Sequence, residues 1–443
     1  MKSRGLLIAA IVLAALSGTL YWSNHRKAKE TESSPSTETA PKVLSLNASD
    51  FVSLKISKEG AEDLSFSKDN AGKWEITAPK PFGADQGEVT SLLSTYAALG
   101  SDRLVEDKAS DLSSYGLAQP SLVISVTDKN KKTTDLKIGD DTPAGNGAYA
   151  AVAGDPRVFI IANYNKNSLD KSANDLRDKR LLTFDSDKLT RVELTAKKQT
   201  IEFGRDKDQW QILKPKPLRA EQFAVDDLVR SLHDAKMELS ATDDEKKIQA
   251  AFNSGTVIAT AKVTDVSGTQ TLEIRKAKDD YYAKSSAVGG IYKVAASVGT
   301  SADRGLDDFR NKKLFDFGFT DPDKIEMHDG SKSYFLTHSG TDWWSNGAKM
   351  DESTVTPLVG AIRDLTSTKF LDSGFTTPAM DITVTSDSGK RVEKVLISKD
   401  GDHYVAKREN EPALYEIPAS SFTDLQNSVG GVKPAPPPAP AKK

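Results

Sequence analysis

The chain has 443 residues, 28% of them charged and 37% apolar, a balance that folds in water and a length that suits about three cores. Its net charge is −3 with both signs interspersed, which leaves no one-signed basic face for a phosphate backbone, so no nucleic-acid partner is expected. It contains no cysteine, which excludes disulfides, thiolate nucleophiles, zinc–thiolate centres and a lipidated cysteine, and suits an oxidising compartment.

After MKSR comes GLLIAAIVLAALSGTLYW, eighteen residues from Gly5 to Trp22 without a charge. As a helix this run measures about 27 Å, close to the hydrocarbon thickness of a bilayer. Tyr21 and Trp22 stand where interfacial aromatics collect, and His25, Arg26 and Lys27 mark the return to water. Residues 1–23 are therefore read as a single transmembrane anchor, with the short end inside and the large domain outside the plasma (inner) membrane. A cleaved signal peptide ending at Ala15-Leu16-Ser17 is the competing reading, which the length of the apolar run disfavours. Residues 24–45, polar and rich in Ser, Thr and Glu, read as a flexible stalk.

The rest repeats itself. KWEITAPKPFGADQGEVTSLLSTYAALG around Trp74 parallels QWQILKPKPLRAEQFAVDDLVRSLHDAK around Trp210: Trp-x-Ile, then Pro-Lys-Pro, then an acid eleven residues after the Trp. Beyond the acid, Val89, Leu92, Leu93 and Tyr96, and Val225, Leu228, Val229 and Leu232, recur at i, i+3, i+4, i+7, the stripe of an amphipathic helix. The acid suits a helix N-terminus, where free N–H groups favour a carboxylate. A third copy follows Trp344 through a stretch four residues shorter, with Asp351 preceding Val355, Leu358, Val359 and Ile362.

Each stripe is flanked by short alternating runs, such as FVSLKIS and DLSFSK upstream and PSLVISVTD, TDLKIG, AYAAVA and RVFIIA downstream, so each copy reads β-β-β-α-β-β-β-β with antiparallel connections. The expected fold is α+β: three tandem antiparallel-sheet repeats, each with one packed amphipathic helix, behind an N-terminal transmembrane helix. The boundaries are 46–186, 187–322 and 323–430, with a disordered Pro/Ala-rich tail over 431–443. Trp74, Trp210 and Trp344, standing at one place in each copy, are expected to pack in the repeat cores.

One phrase occurs twice, NDLRDKRLLTFD at 174–185 and DDFRNKKLFDFG at 307–318. In the third copy its expected counterpart is FTDLQNSVGGVK, where Gln426 replaces the arginine. A phrase complete only where another repeat follows suits a joint better than an active site. Arg177, Arg180, Arg310 and Lys313 are thus predicted to couple neighbouring repeats through their multiple donors.

No catalytic constellation emerges, and no enzyme activity or cofactor is expected. His25, His233, His328, His338 and His403 are scattered without metal-ligand spacing, so no metal site is predicted, and no nucleophile elbow or phosphate loop occurs. Gly145-x-Gly147 links two strands rather than opening a helix and reads as a turn. Asp185/Asp187 and Asp321/Asp323 read as turn acids rather than calcium ligands.

The anchor, the repeated Trp-x-Ile with its basic-Pro turn and helix, and strand sets closing in D-[LF]-R-x-K-x-L together resemble the bacterial envelope family described as domain of unknown function 4340, from about Leu46 to Val429. The resemblance implies a single-span extracytoplasmic (periplasmic) protein, accessory to an ABC-type permease and a gliding-motility-type auxiliary protein. The expected function is that of a membrane-anchored, non-enzymatic binding subunit of such a transport system. A lipid or polysaccharide carrier and an envelope-polymer hydrolase are the alternatives.

Overall fold

The computed structural model describes residues 41–437 apart from 208 and 241. The expected anchor, stalk residues 24–40 and the end of the tail lie outside the described residues. The chain divides into two compact units, one ending at Lys179 and the other running from Arg180.

The first unit holds one repeat: β1 (Phe51–Lys58), β2 (Leu64–Lys68), β3 (Trp74–Ala78), β4 (Phe82–Gly83), α1 (Gln86–Ala97), β5 (Arg103–Glu106), β6 (Leu122–Asp128), β7 (Thr133–Asp141), β8 (Gly147–Val152), β9 (Val158–Ala162), α2 (Asn163–Leu169) and α3 (Ala173–Leu176). Its nine strands form one antiparallel sheet in the order β4-β3-β2-β1-β6-β7-β8-β9-β5. Helix α1 therefore leaves one edge of the sheet and returns the chain to the other. Val89, Leu92, Leu93 and Tyr96 are buried against the alternate residues of β1, β2 and β6, among them Leu54, Ile56, Phe66 and Ile124. Each such aliphatic side chain contributes about 1.5–3 kcal/mol by leaving water.

The second unit holds two more copies. The first comprises β10 (Arg191–Ala196), β11 (Gln199–Asp206), β12 (Gln209–Lys214), β13 (Leu218–Arg219), α4 (Gln222–His233), β14 (Met237–Glu238), α5 (Glu245–Ser254), β15 (Thr256–Asp265), β16 (Gly268–Ala277), β17 (Asp280–Ser285), β18 (Ile291–Val294) and α6 (Ala296–Ala302). The other comprises β19 (Lys324–Asp329), β20 (Lys332–Ser339), β21 (Asp342–Ser345), β22 (Ala348–Lys349), α7 (Glu352–Arg363), β23 (Lys369–Leu371), β24 (Pro378–Ser386), β25 (Arg391–Asp400), β26 (His403–Arg408), β27 (Leu414–Ile417) and α8 (Ala419–Gly431). Both sheets repeat the first strand order position by position. The predicted stripes of α4 and α7 are buried throughout. One continuous core runs through both copies, carried across by Phe309, Leu314, Phe315 and Phe317.

Three expectations are refined. Each sheet has nine strands rather than seven, because two- to four-residue strands at its two edges leave no alternation to read. Each repeat has a second helix on the same face (α2, α6 or α8); NYNKNSL and ASVGTSA are too short and polar to show a stripe. The third copy is shorter after its tryptophans because Asn346 and Gly347, both at positive φ, make a two-residue hairpin where the other copies use Pro-Lys-Pro. The acids do cap their helices at Asp85 and Asp351, whose carboxylates accept from Gly87 and Glu88 and from Ser353. Glu221 holds the same position without a side-chain cap.

Candidate functional site

The duplicated phrase is two structural pieces in succession. Its first half closes a repeat by pairing alongside the short edge strand. Asp85 N donates to Leu176 O and Asp178 N to Gly83 O, both at 2.8 Å. The same ladder recurs where Glu221 N donates to Phe309 O (2.8 Å) and Asn311 N to Arg219 O (3.0 Å). It recurs a third time where Asp351 N donates to Lys433 O and Ala435 N to Lys349 O, both at 2.9 Å. The third closing segment is thus Lys433–Ala435, not the stretch around Gln426, which lies inside α8 and reaches Asp329 instead. The expected disordered tail from 431 supplies this strand, because a sheet edge left open would expose unpaired N–H and C=O groups.

The second half leads into a repeat along the residues after its first helix. Arg180 bridges Lys236 and Leu181 N donates to Ala235 O; Lys313 bridges Thr366 and Leu314 N donates to Leu365 O. The first repeat has the same feature, with Lys42 bridging Gly100 and Val43 N donating to Leu99 O. KVLSL at 42–46 therefore corresponds to RLLTF and KLFDF, so the first repeat begins before the expected boundary at residue 46.

The four predicted coupling residues take separate positions. Arg177 is buried within the first unit, its guanidinium 3.8 Å from the centre of the Phe82 ring. Arg310 pairs by backbone with Ala220 of the second repeat, stacks at 3.4 Å over Phe370 of the third and meets Asp307 at 3.0 Å. Arg180 and Lys313 contribute their backbones to the leading ladders.

Between the second and third repeats lies a denser cluster, centred on Arg219 of β13. Its Nη1 donates to Asp316 Oδ2 at 2.5 Å, Nη2 donates to Lys313 O at 2.5 Å and reaches Tyr415 Oη at 3.3 Å, and Nε lies 2.9 Å from Glu411 Oε1. Arg408 completes the lattice from the third repeat, 3.0 Å from Glu393, 2.7 Å from Glu411 and hydrogen-bonded to Leu314 O. The Asp316 N–H donates to Glu393, and Arg391 Nη1 donates to Asp316 O at 2.5 Å. Arg219 thus reaches across the junction to Asp316 and Glu411, which Arg408, Arg391 and Glu393 hold in place from the third repeat.

Burial works against the Arg219 charge, but Asp316, Tyr415 and Glu411 outweigh it and hold the guanidinium above its ordinary pKa. Burial, chiefly, raises the Tyr415 phenol. A cleft of about 370 Å³ opens beside the cluster, lined also by Gln209, Gln211 and Asn311. Its charged groups neutralise one another, so the arrangement is chemically a clamp.

The tryptophans mark the other shared construction. Trp74 and Trp210 are 6% and 3% exposed, but their third counterpart is Trp343 at 2%, whereas Trp344 is 39% exposed. The expectation for Trp344 fails by one residue, which in a strand moves a side chain to the opposite face. Lys68 and Arg205 lie 5.1 and 5.6 Å from the rings of Trp74 and Trp210, and His338 stacks on Trp343 at 4.7 Å. Gln86 and Gln222 each bond the backbone N–H and C=O of their tryptophan, tying helix to strand.

Sequence reasoning missed Arg219, Asp316, Glu393, Arg408 and Glu411. The available signals were LRAE against FGAD and KLFDF against RLLTF, where charges appear in one copy only. Asp185 caps a short turn through Asp187 N, and Asp321 pairs with Arg363 at 3.1 Å, the behaviour of turn acids. Among the described residues no group of three or more His, Asp or Glu side chains is placed to hold a metal ion.

A family described as Domain of unknown function (DUF4340) matches residues 74–252 and again 210–381. Each match starts on a buried tryptophan and runs into the following repeat. No curated protein and no solved structure shows a match.

Proposed function

The chain belongs to the DUF4340 family, and from that premise we propose a membrane-anchored, non-enzymatic, extracytoplasmic repeat protein that serves as an accessory or binding subunit of an ABC-type transport system. The observation that carries this reading is the clamp of Arg219 on Asp316 and Glu411, braced by Arg408 and Glu393, which ties the second repeat to the third. A protein that presents surfaces at fixed spacing needs such a lock. The uncharged run from Gly5 to Trp22 supports tethering at the bilayer, with the repeats on the outer side.

The test is purification of the native protein from its own membranes in mild detergent, with partners identified by mass spectrometry. An ABC-type permease and a gliding-motility-type auxiliary protein are expected at near-stoichiometric amounts. Recovery of the protein without any ABC subunit would overturn the proposal.

A further inference from the structure

Each sheet has a face turned away from its main helices, which α5 partly covers in the second copy where Arg275 lies 4.6 Å from the Phe252 ring, and the third copy differs from the others there. Phe66, Phe203 and Leu336 pair with Leu54, Val192 and Ile325 on the core side, which fixes the equivalence of the strands. The residues just before them, facing outward, are Ser65, Glu202 and Phe335. The outward residues just after the buried tryptophans are Glu75, Gln211 and Trp344. Only the third repeat places aromatic rings at these two positions, 40% and 39% exposed.

Trp344 pairs with Thr337, two residues along β20 from Phe335, so the rings are diagonal neighbours on adjacent strands, roughly 7–8 Å apart at their backbones. Around them the same face carries Thr383 and Thr385 on β24, His328 edge-on to Phe335 at 5.9 Å, and a charge set that cancels, Lys324, Lys349 and Lys394 against Glu326, Asp342 and Asp381. A protein interface would need a wider apolar centre, but this single pair of rings is bordered by Thr337, Lys349, Glu326 and Thr383. An acidic polymer or anionic bilayer would need a positive excess, which the face lacks.

We propose that this face of the third sheet binds a neutral polysaccharide. The C–H faces of pyranose rings lie on Trp344 and Phe335, and the sugar hydroxyls exchange hydrogen bonds with Thr337, Thr383 and Glu326. Charge balance and hydroxyls beside a pair of rings match a ligand that is apolar on its ring faces and uncharged at its edges. The site is independent of the transport reading: failure to find a permease leaves it standing.

The test is native gel retardation of the full-length protein in gels containing hydroxyethylcellulose, soluble starch or dextran, beside gels without polymer. Retardation by at least one polymer is expected, weakened roughly tenfold in Trp344→Ala and in Phe335→Ala and retained in Trp344→Tyr. Thermal melting of each variant shows that the fold persists. No retardation by any of the three polymers, or retardation unchanged in both alanine variants, overturns the proposal. Sedimentation showing a dimer that Trp344→Ala dissociates would assign the face to a second copy and overturn it equally.

Discussion

At the scale of single residues, the account rests on Arg219. A partly buried guanidinium engaging two carboxylates, a carbonyl and a phenol leaves several acceptors unsatisfied when removed. Arg219→Met is expected to cost about 3 kcal/mol, the low end for breaking a buried ion pair because Asp316 and Glu411 keep some water contact. Arg219→Lys does not restore the loss, since one ammonium cannot reproduce a fork of donors. Denaturant titration of both variants checks this. Glu202 offers a pH test in the same repeat: its carboxylate is 2% exposed, covered by Lys214 Nζ at 2.8 Å and by Arg191, which hold it below its ordinary value of 4.5. A lowered folded pKa gives stability that is present above the ordinary value and lost as pH falls through the lowered one. Glu202→Gln should therefore destabilise at neutral pH, with the gap to the parent closing as pH falls below about 4.5 in thermal melts.

At the scale of elements, strand register decides which side chains matter. Trp343→Ala removes a buried ring and is expected to cost about 3–5 kcal/mol. Trp344→Ala, one residue on and facing out, should stay within about 0.5 kcal/mol, as chemical denaturation of the pair would show. The helices were legible because a stripe of four apolar residues has only one period that fits. The tryptophan pair was not, because Trp343 and Trp344 satisfy the composition equally and only the ladder, with His338 opposite Trp343 and Thr337 opposite Trp344, separates them. The edge strands were illegible for a related reason. Phe82–Gly83 and Ala348–Lys349 are two residues long, and the segments beside them become strands only when tertiary contact supplies the partner. Truncation after Val432 removes the third closing segment. It should speed hydrogen exchange at Asp351 and lower stability by about 1–2 kcal/mol, the worth of two backbone hydrogen bonds.

At the scale of the whole molecule, repetition was visible and its degree of coupling was not. Period, punctuation and helix stripes announce three copies, and three sheets with one strand order answer them. That the second and third copies share one core depends on Phe309, Phe315 and Phe317, and on charges that stand in one copy without counterparts in the others. Tandem repeats gain stability from their own cores and from interfaces with their neighbours, so a strong interface makes two repeats melt together. Arg310, stacked on Phe370 from the neighbouring repeat, adds to that interface without belonging to the clamp. The direct measurement is differential scanning calorimetry of the full-length protein beside its Arg219→Met variant. Residues 180–437 are predicted to unfold in one cooperative transition in the parent and to split into two, one per repeat, in the variant. Two separate transitions for these repeats already in the parent, unchanged by the substitution, would contradict the account.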